Sequence, residues 1–285
     1  MSSTDKKPQP KIKVYWYVNH HLNTSQTPTL TPTRLNESRS QRLLWLLEEL
    51  HLEYDLEIFH RNKDMLAPPE LKEIHPLGKA PIVTIQPLTP EGSSTPPKPL
   101  VLAESGFIMQ YISDHFGQDT TLVPERYPAG QEGQLGAETE AWMRYQYYLH
   151  YSEGSLQPAL LVSIILEILK SNKIPFPIRP ITAFVSNKFF TSFVIPHLNT
   201  DLAFLESQLE SSPDGGEYLC GKYLTPADII LSFPLELVKT RIGNMDASVL
   251  EKYPKLWAYC DRLRSSEGYK RAEKRIEEVE GKGRK

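Results

Sequence analysis

Cysteine is almost missing from this chain. Its 285 residues include two, Cys220 and Cys260, which share no metal-ligand or redox spacing. That excludes a disulfide scaffold and dithiol chemistry, and it points to a reducing compartment. The eight histidines are scattered. Only His20 and His21 are adjacent, and neighbouring loop residues make no metal site, so no metal is expected. Charge of one sign is lacking too: the net charge is −3, which gives no electrostatic case for nucleic acid. No apolar run reaches the roughly 20 residues of a spanning helix. The most apolar segment, Ala159 to Leu169, is interrupted by Glu167 and bounded by Lys170, and it reads as a buried core helix. The first ten residues, MSSTDKKPQP, carry no apolar signal region and are expected to form a disordered tail.

What is present is a soluble globular composition, 40% hydrophobic and 24% charged, in a chain long enough for two domains. Strand and helix patterns alternate at first. Ile12 to Tyr17 is β-rich. Ser38 to His51 places Leu43, Leu46, Leu47 and Leu50 on one helical face. Tyr54 to Phe59 alternates apolar and polar, Pro69 to Ile74 suits a short helix, and Ile82–Ile85 and Leu100–Leu102 are strands. Ser105 to Phe116 is a helix stopped at Gly117. A βαβ half followed by a ββα half is a thioredoxin-like topology. Residues 118–133 read as a linker. Helical runs then cover Ala137–Ser152, Gln157–Ser171, Ile181–Glu210, Pro226–Arg241 and Tyr253–Arg264, followed by a charged tail that suits a solvated, frayed helix. The expected fold is an α/β thioredoxin-like N-terminal domain (11–117) plus an all-α C-terminal helical bundle (134–285). Two loops are long for so small a first domain, Asn19–Glu37 and Pro87–Pro99, and both read as surface insertions.

Chemistry concentrates at Lys79-Ala80-Pro81-Ile82-Val83 and Leu102-Ala103-Glu104-Ser105-Gly106. Proline lacks the N–H that a sheet ladder needs, so it belongs at a strand's first residue. It also tolerates a cis bond, which would turn the Ala80 main chain outward toward a ligand. Glu104 offers a carboxylate to an ammonium group. Ser105 offers a hydroxyl and an N–H, at a helix N-terminus, to a carboxylate. Together they suit one end of a peptide-like zwitterion. Thr225-Pro226-Ala227-Asp228 is a capping box, a folding element with no catalytic role.

Asn36-Glu37-Ser38-Arg39-Ser40 precedes the first long helix, where a hydroxyl could stabilise a bound thiolate with help from the positive helix end. Ser38 is the first choice, with Ser40 and Asn36 as alternatives. Glu37 is the least attractive, because a carboxylate facing a thiolate raises its pKa. Tyr15 and Tyr17 end the first strand and are read as packing, although a phenol could also activate a thiol. Arg144, Tyr145, Tyr147, Tyr148 and Tyr151 on the first bundle helix are read as core and interface residues, with Arg144 also a candidate for a subunit contact.

These pieces together resemble the cytosolic glutathione transferases. The likeness rests on Ser38-Arg39-Ser40-Gln41-Arg42 with Leu44 to Leu50, on His75 to Pro81, on Glu104-Ser105, and on the Thr225–Asp228 box. Met65 to Leu71 is similar to the fungal yeast-type branch associated with the endoplasmic reticulum. The resemblance implies a cytoplasmic homodimer, with peripheral membrane association as a further reading. It implies glutathione as co-substrate with no other cofactor, and a small hydrophobic electrophile bound between the domains. The implied activity is conjugation and detoxification, with peroxidase activity beside it. A non-catalytic glutathione- or ligand-binding protein on the same fold is the alternative. It further implies that Pro81 is the cis-proline, that Ala80 pairs with the cysteinyl part of glutathione, and that Glu104 and Ser105 hold the γ-glutamyl end. Lys79 would reach the glycine carboxylate, and Ser38 would activate the thiol.

Overall fold

Ile12, Val14 and Trp16 alternate along β1 (Lys11–Val18) and are buried, as expected of a strand whose successive side chains point to opposite faces. The computed structural model describes residues 8–18, 40–60, 67–242 and 248–282. β1 is followed by α1 (Ser40–Glu49), β2 (Tyr54–His60), the single turn α2 (Leu71–Ile74), β3 (Ile82–Gln86), β4 (Leu100–Ala103) and α3 (Ser105–Phe116). The four strands form a mixed sheet in the order β2-β1-β3-β4. β1 and β2 are parallel, and the other two pairs are antiparallel. This is the thioredoxin-like arrangement of the expected fold. The 87–99 insertion is exposed, and its base is closed by the Gln86 side-chain amide, which donates to Pro97 O at 2.8 Å and Pro87 O at 3.3 Å. Residues 19–37 lie outside the described residues.

Contacts group Met1–Ile112 with Glu267–Lys285 in one compact unit, and Ser113–Ser266 in a second. The last helix, α11 (Glu267–Lys282), therefore packs on the first unit and is not a solvated tail. Tyr269, Ala272 and Ile276 are buried, a stripe at i, i+3 and i+7. The Tyr269 ring meets Trp45 edge-on at 5.2 Å, and the Arg271 guanidinium donates to Glu48 O at 2.8 Å. Gly268 lies so close to Glu49 that a Cβ there would overlap its carboxylate. The docking explains why α1 is buried from Ser40 through Leu47 all round, not on one leucine face alone.

The second unit is all-helical. α4 (Glu140–Tyr151) and α5 (Gln157–Lys170) run together through a π turn, Ser152–Leu156. α6 (Arg179–Phe189) and α7 (Ile195–Glu210) run together through another, Phe190–Val194. Pro158 and Pro196 each stand at the second residue after a π turn. Neither has an N–H for the i−4 carbonyl, so the helical ladder is interrupted at those points. α8 (Pro226–Leu237) is the central helix, buried along nearly its whole length. α9 (Ser248–Lys252) and α10 (Pro254–Ser265) complete the bundle. α5 departs from the buried helix expected of it: Leu160, Ser163 and Leu166 face inward, but Leu161, Ile165 and Ile168 are exposed.

Candidate functional site

The ladder between β3 and β4 pairs Ile82 with Ala103. Pro81 and Glu104 directly adjoin that last pair of the ladder, and Ala80 and Ser105 come next along each segment. The β1–β3 ladder pairs Tyr15 with Ile82, so the C-terminal end of β1 reaches the same sheet edge. Three chain segments separated in sequence thus converge where β1 ends, β3 begins and α3 starts.

Each segment is held by local chemistry. The Ala80–Pro81 peptide is cis, and Pro81 is buried at the head of β3. The approach is a turn in which Gly78 N–H donates to His75 O at 2.8 Å and Leu77 N–H donates to His75 Nδ1 at 3.3 Å. Gly78 has φ +56, and a Cβ there would sit 2.8 Å from Lys72 Cγ, so this position needs glycine. Lys79 is exposed after it. Glu104 adopts φ 70, which is uncommon for a residue with a side chain, and it is exposed. Its carbonyl accepts the first helical bond of α3, from Ile108 N–H at 2.9 Å. Ser105 is buried at the first position of α3, where helix N–H groups and the dipole favour an anion.

Arg42 joins this group and is the residue that pattern reading missed. It is 1% exposed inside α1, and its guanidinium donates to Ser105 Oγ at 3.2 Å. The signal was a cation directly before the apolar run Leu43–Leu47, since a charged side chain is rarely fully buried without a partner. Ser40, at the start of the same helix, is fully buried. Beside it, Gln41 Nε2 donates to the Tyr269 hydroxyl at 3.4 Å, which ties the start of α1 to α11.

Among the sequence candidates, Lys79, Ala80, Pro81, Glu104 and Ser105 are therefore brought to one edge. Asn36, Glu37 and Ser38 lie outside the described residues, as does the side chain of Tyr17. Tyr15 is buried, with its ring 6.2 Å from Phe59, and acts in packing.

Of the aromatic run on α4, Tyr145, Tyr148 and Tyr151 are buried in the second unit, whereas Tyr147 is exposed. Tyr148 donates to Gln208 Oε1 at 3.0 Å, and Tyr151 donates to Asp201 Oδ1 at 2.7 Å. Arg144 donates to Gln208 O and Ser211 O at 2.9 and 2.7 Å, clamping the carbonyl end of α7, and to Leu219 O at 3.3 Å. Among the described residues, no group of three His, Cys, Asp or Glu could hold a metal ion.

Both cysteines are buried. Burial pushes the Cys260 thiol up to about 12, and burial followed by the nearby Asp228 carboxylate pushes Cys220 well up. Neither is expected to react with iodoacetamide at about pH 8 in the native protein, because the thiolate is the nucleophile, and both are expected to react after unfolding. Mass spectrometry of alkylated native protein checks this; labelling of either cysteine before unfolding contradicts it.

A family model of the glutathione S-transferase N-terminal domain matches residues 38–115, and one of the glutathione S-transferase C-terminal domain matches residues 185–271. Glutathione S-transferase 1 of Saccharomyces cerevisiae is 34% identical over 260 residues, 91% of this chain and 93% of that protein. Glutathione S-transferase 3 of Schizosaccharomyces pombe is 29% identical over 201 residues, 70% of this chain and 71% of that one. The fold is shared with a glutathione transferase homolog from Lodderomyces elongisporus, solved with two GSH per subunit, at 19% identity and a TM-score of 0.60, covering 92% of this chain and 96% of that one. It is also shared with a glutathione transferase from Phanerochaete chrysosporium, solved in complex with oxidized glutathione, at 16% identity and a TM-score of 0.61, covering 94% and 97%.

Proposed function

The chain belongs to the glutathione S-transferase family, and on that premise we propose that it binds glutathione at the Ala80–Ser105 edge and transfers its sulfur to small hydrophobic electrophiles. The observation that supports this most is the β3–β4 register, Ile82 to Ala103, which brings the Ala80 main chain to the exposed Glu104 carboxylate and the Ser105 helix start.

In this reading the α-ammonium group of the γ-glutamyl end meets Glu104, and its carboxylate meets Ser105 and the α3 N-terminus. Arg42 orients Ser105 from beneath. The Ala80 N–H and C=O pair with the cysteinyl residue, and Lys79 meets the glycine carboxylate. Ser38 donates a hydrogen bond to the thiolate, and the N-terminus of α1 adds its field. The sulfur then attacks the electrophilic carbon, and the leaving group departs with the bonding pair. The same thiolate can attack a peroxide oxygen, with a second glutathione completing the disulfide and the peroxide leaving as alcohol and water. Glutathione is the co-substrate and no resident cofactor is required. The protein contributes thiol pKa lowering and proximity. We place this activity in the cytoplasm, in keeping with two buried cysteines that form no disulfide, and in a homodimer, as the family resemblance implies.

Glu104→Ala is expected to weaken glutathione binding about 10- to 100-fold, the range for one charge-assisted hydrogen bond. Glu104 is exposed, so the fold should be unaffected. Titration calorimetry with glutathione reads the change, and unaltered affinity removes Glu104 from the site. An aryl halide conjugation assay beside retention on glutathione resin tests the activity itself. Retention without turnover of any electrophile or peroxide would make the chain a binding protein.

A further inference from the structure

The Pro87–Pro99 insertion between β3 and β4 takes no part in the glutathione site. Five of its 13 residues are proline: Pro87, Pro90, Pro96, Pro97 and Pro99. Proline favours extended backbone and cannot continue a sheet ladder, so the segment stays a loop where β3 ends and β4 begins. The loop also carries hydroxyls followed directly by proline, the acceptor pattern of proline-directed protein kinases. That pattern has a physical basis. A pocket that offers no partner for the N–H after the acceptor admits proline and rejects other residues, whose N–H would be buried unpaired. An acidic surface three residues beyond the acceptor favours a cation there.

Six Ser-Pro or Thr-Pro pairs occur in the chain, and the fold sorts them. Thr225 is 2% exposed and its hydroxyl donates to Asp228 Oδ2; Ser212 is 7% exposed and its hydroxyl donates to Tyr218 O. Neither can enter another protein's active site. Thr27 and Thr31 lie outside the described residues, although Thr31 has Arg34 three residues on. Thr89 and Thr95 are exposed. Three residues beyond Thr89 stands Gly92, whereas three beyond Thr95 stands the exposed Lys98. Ser93 Oγ donates to Thr95 O at 3.0 Å and accepts from Thr95 N–H at 3.3 Å. Both bonds use the Thr95 main chain, so neither occupies its hydroxyl. The loop also has slack. Its 13 residues reach about 43–47 Å when extended, while its ends stand on neighbouring strands about 5 Å apart. Thr95 and its flanks can therefore lie extended in an enzyme's groove without unzipping β3 from β4, giving up only the Ser93 turn and the Gln86 bond to Pro97 O.

We propose that Thr95 is a phosphoacceptor for a proline-directed Ser/Thr protein kinase, which reads Pro96 and Lys98. In the transfer, Thr95 Oγ1 bonds to the γ-phosphorus of ATP and the bond from that phosphorus to the β–γ bridging oxygen breaks. ADP leaves with the bonding pair, and the hydroxyl proton passes to the kinase's base. The loop then gains about −1.5 to −2 units of charge, where Glu91 and Lys98 otherwise balance. It leaves β3 at the end away from Pro81, so the strand Ile82–Gln86 puts about 13–17 Å between the loop and the glutathione edge. That exceeds the Debye length of about 8 Å at physiological ionic strength. The modification therefore acts on what the loop meets, not on the bound thiol.

The test incubates the full folded chain with a purified cyclin-dependent kinase–cyclin complex and ATP, and maps the phosphate by peptide mass spectrometry. Incorporation at Thr95 is expected. Pro96→Ala should lower kcat/KM at Thr95 by about ten-fold or more, because the new N–H is buried without a partner. Lys98→Ala should lower it by about three- to ten-fold, the scale of one lost ion pair at an interface. Thr89→Ala should leave the Thr95 rate unchanged. No phosphate at Thr95 of the native chain, phosphate there only after unfolding, or rates indifferent to both Pro96→Ala and Lys98→Ala overturns the proposal. The phosphate map does not involve glutathione, so it stands apart from the reading of the site. Glutathione affinity, by titration calorimetry, is expected to be equal before and after phosphorylation, and a changed affinity overturns the separation of loop and site.

Discussion

Ser38→Ala is expected to cut the thiolate population of bound glutathione about 50- to 150-fold at about pH 6.5. The arithmetic follows from the proposed mechanism. If the hydroxyl donor supplies nearly all of a fall in the thiol pKa from about 8.5–9 to about 6.5, half the bound thiol is ionised at that pH in the parent. Without the donor, about 1% or less is. Turnover should fall less steeply than the population, because a thiolate of higher pKa is the better nucleophile, with a Brønsted slope of about 0.4–0.5. Two or more pKa units recover about ten-fold, so a turnover loss of about ten-fold is the net expectation. The direction with pH is definite. The deficit is largest below the parent's thiol pKa and closes as pH rises past that of the variant, where both sites are ionised. Thiolate absorbance of bound glutathione against pH, with turnover measured on the same samples, reads both quantities. An unchanged titration curve removes Ser38 from the role and passes it to the alternatives, Ser40→Ala first. That serine is buried at the first position of α1.

The parts of this site that were legible in sequence are those set by neighbours a few residues away. Pro81 heads β3 because a residue without an N–H fits only at a strand's start or edge. Glu104 and Ser105 stand at the start of α3, beside a run that ends at Gly117. Asp228 closes the box with Thr225, as the spacing indicated. What sequence did not reveal depends on partners far along the chain. Arg42 meets Ser105 across 63 positions, and Gln41 meets Tyr269 across 228. No periodicity encodes either distance. Arg144, an open candidate for a subunit contact, is occupied by carbonyls of its own bundle. The tail of alternating Glu and Lys concealed Tyr269, Ala272 and Ile276, because abundant charge masked a short apolar stripe. The α5 run was misjudged for the opposite reason: apolar composition suggests burial, but only a packing partner decides which face is covered.

Asp228→Ala is expected to destabilise the fold by at least about 3 kcal/mol, a large share of the roughly 5–15 kcal/mol that holds a domain folded. Asp228 is 0% exposed and is the common acceptor for four donors from three segments. Thr225 N–H and Thr225 Oγ1 lie at 2.8 and 2.7 Å, Leu219 N–H at 3.1 Å, and the Tyr259 hydroxyl at 2.7 Å. The capping box alone is worth about 1 kcal/mol. The larger part of the loss comes from stranding the other donors in a dry interior, at about 1–3 kcal/mol for each buried polar group left unmade. Tyr259→Phe removes one donor and keeps the acceptor, so it should cost about 1 kcal/mol. The two losses together distinguish a hub from a cap. Burial holds the Asp228 carboxyl above the usual carboxylate range, against the pull of Thr225, Tyr259 and Leu219. The folded state therefore keeps this proton to higher pH than the unfolded chain, whose Asp titrates near about 3.9. This group's contribution to stability is full below that value and is lost as pH rises through the folded pKa. Asp228→Asn cannot titrate, so the difference in stability between parent and Asn variant should drift with pH in that window, in the parent's disfavour. Urea denaturation of all four proteins across that pH range measures each quantity. A loss of about 1 kcal/mol in Asp228→Ala would reduce the residue to an ordinary helix cap.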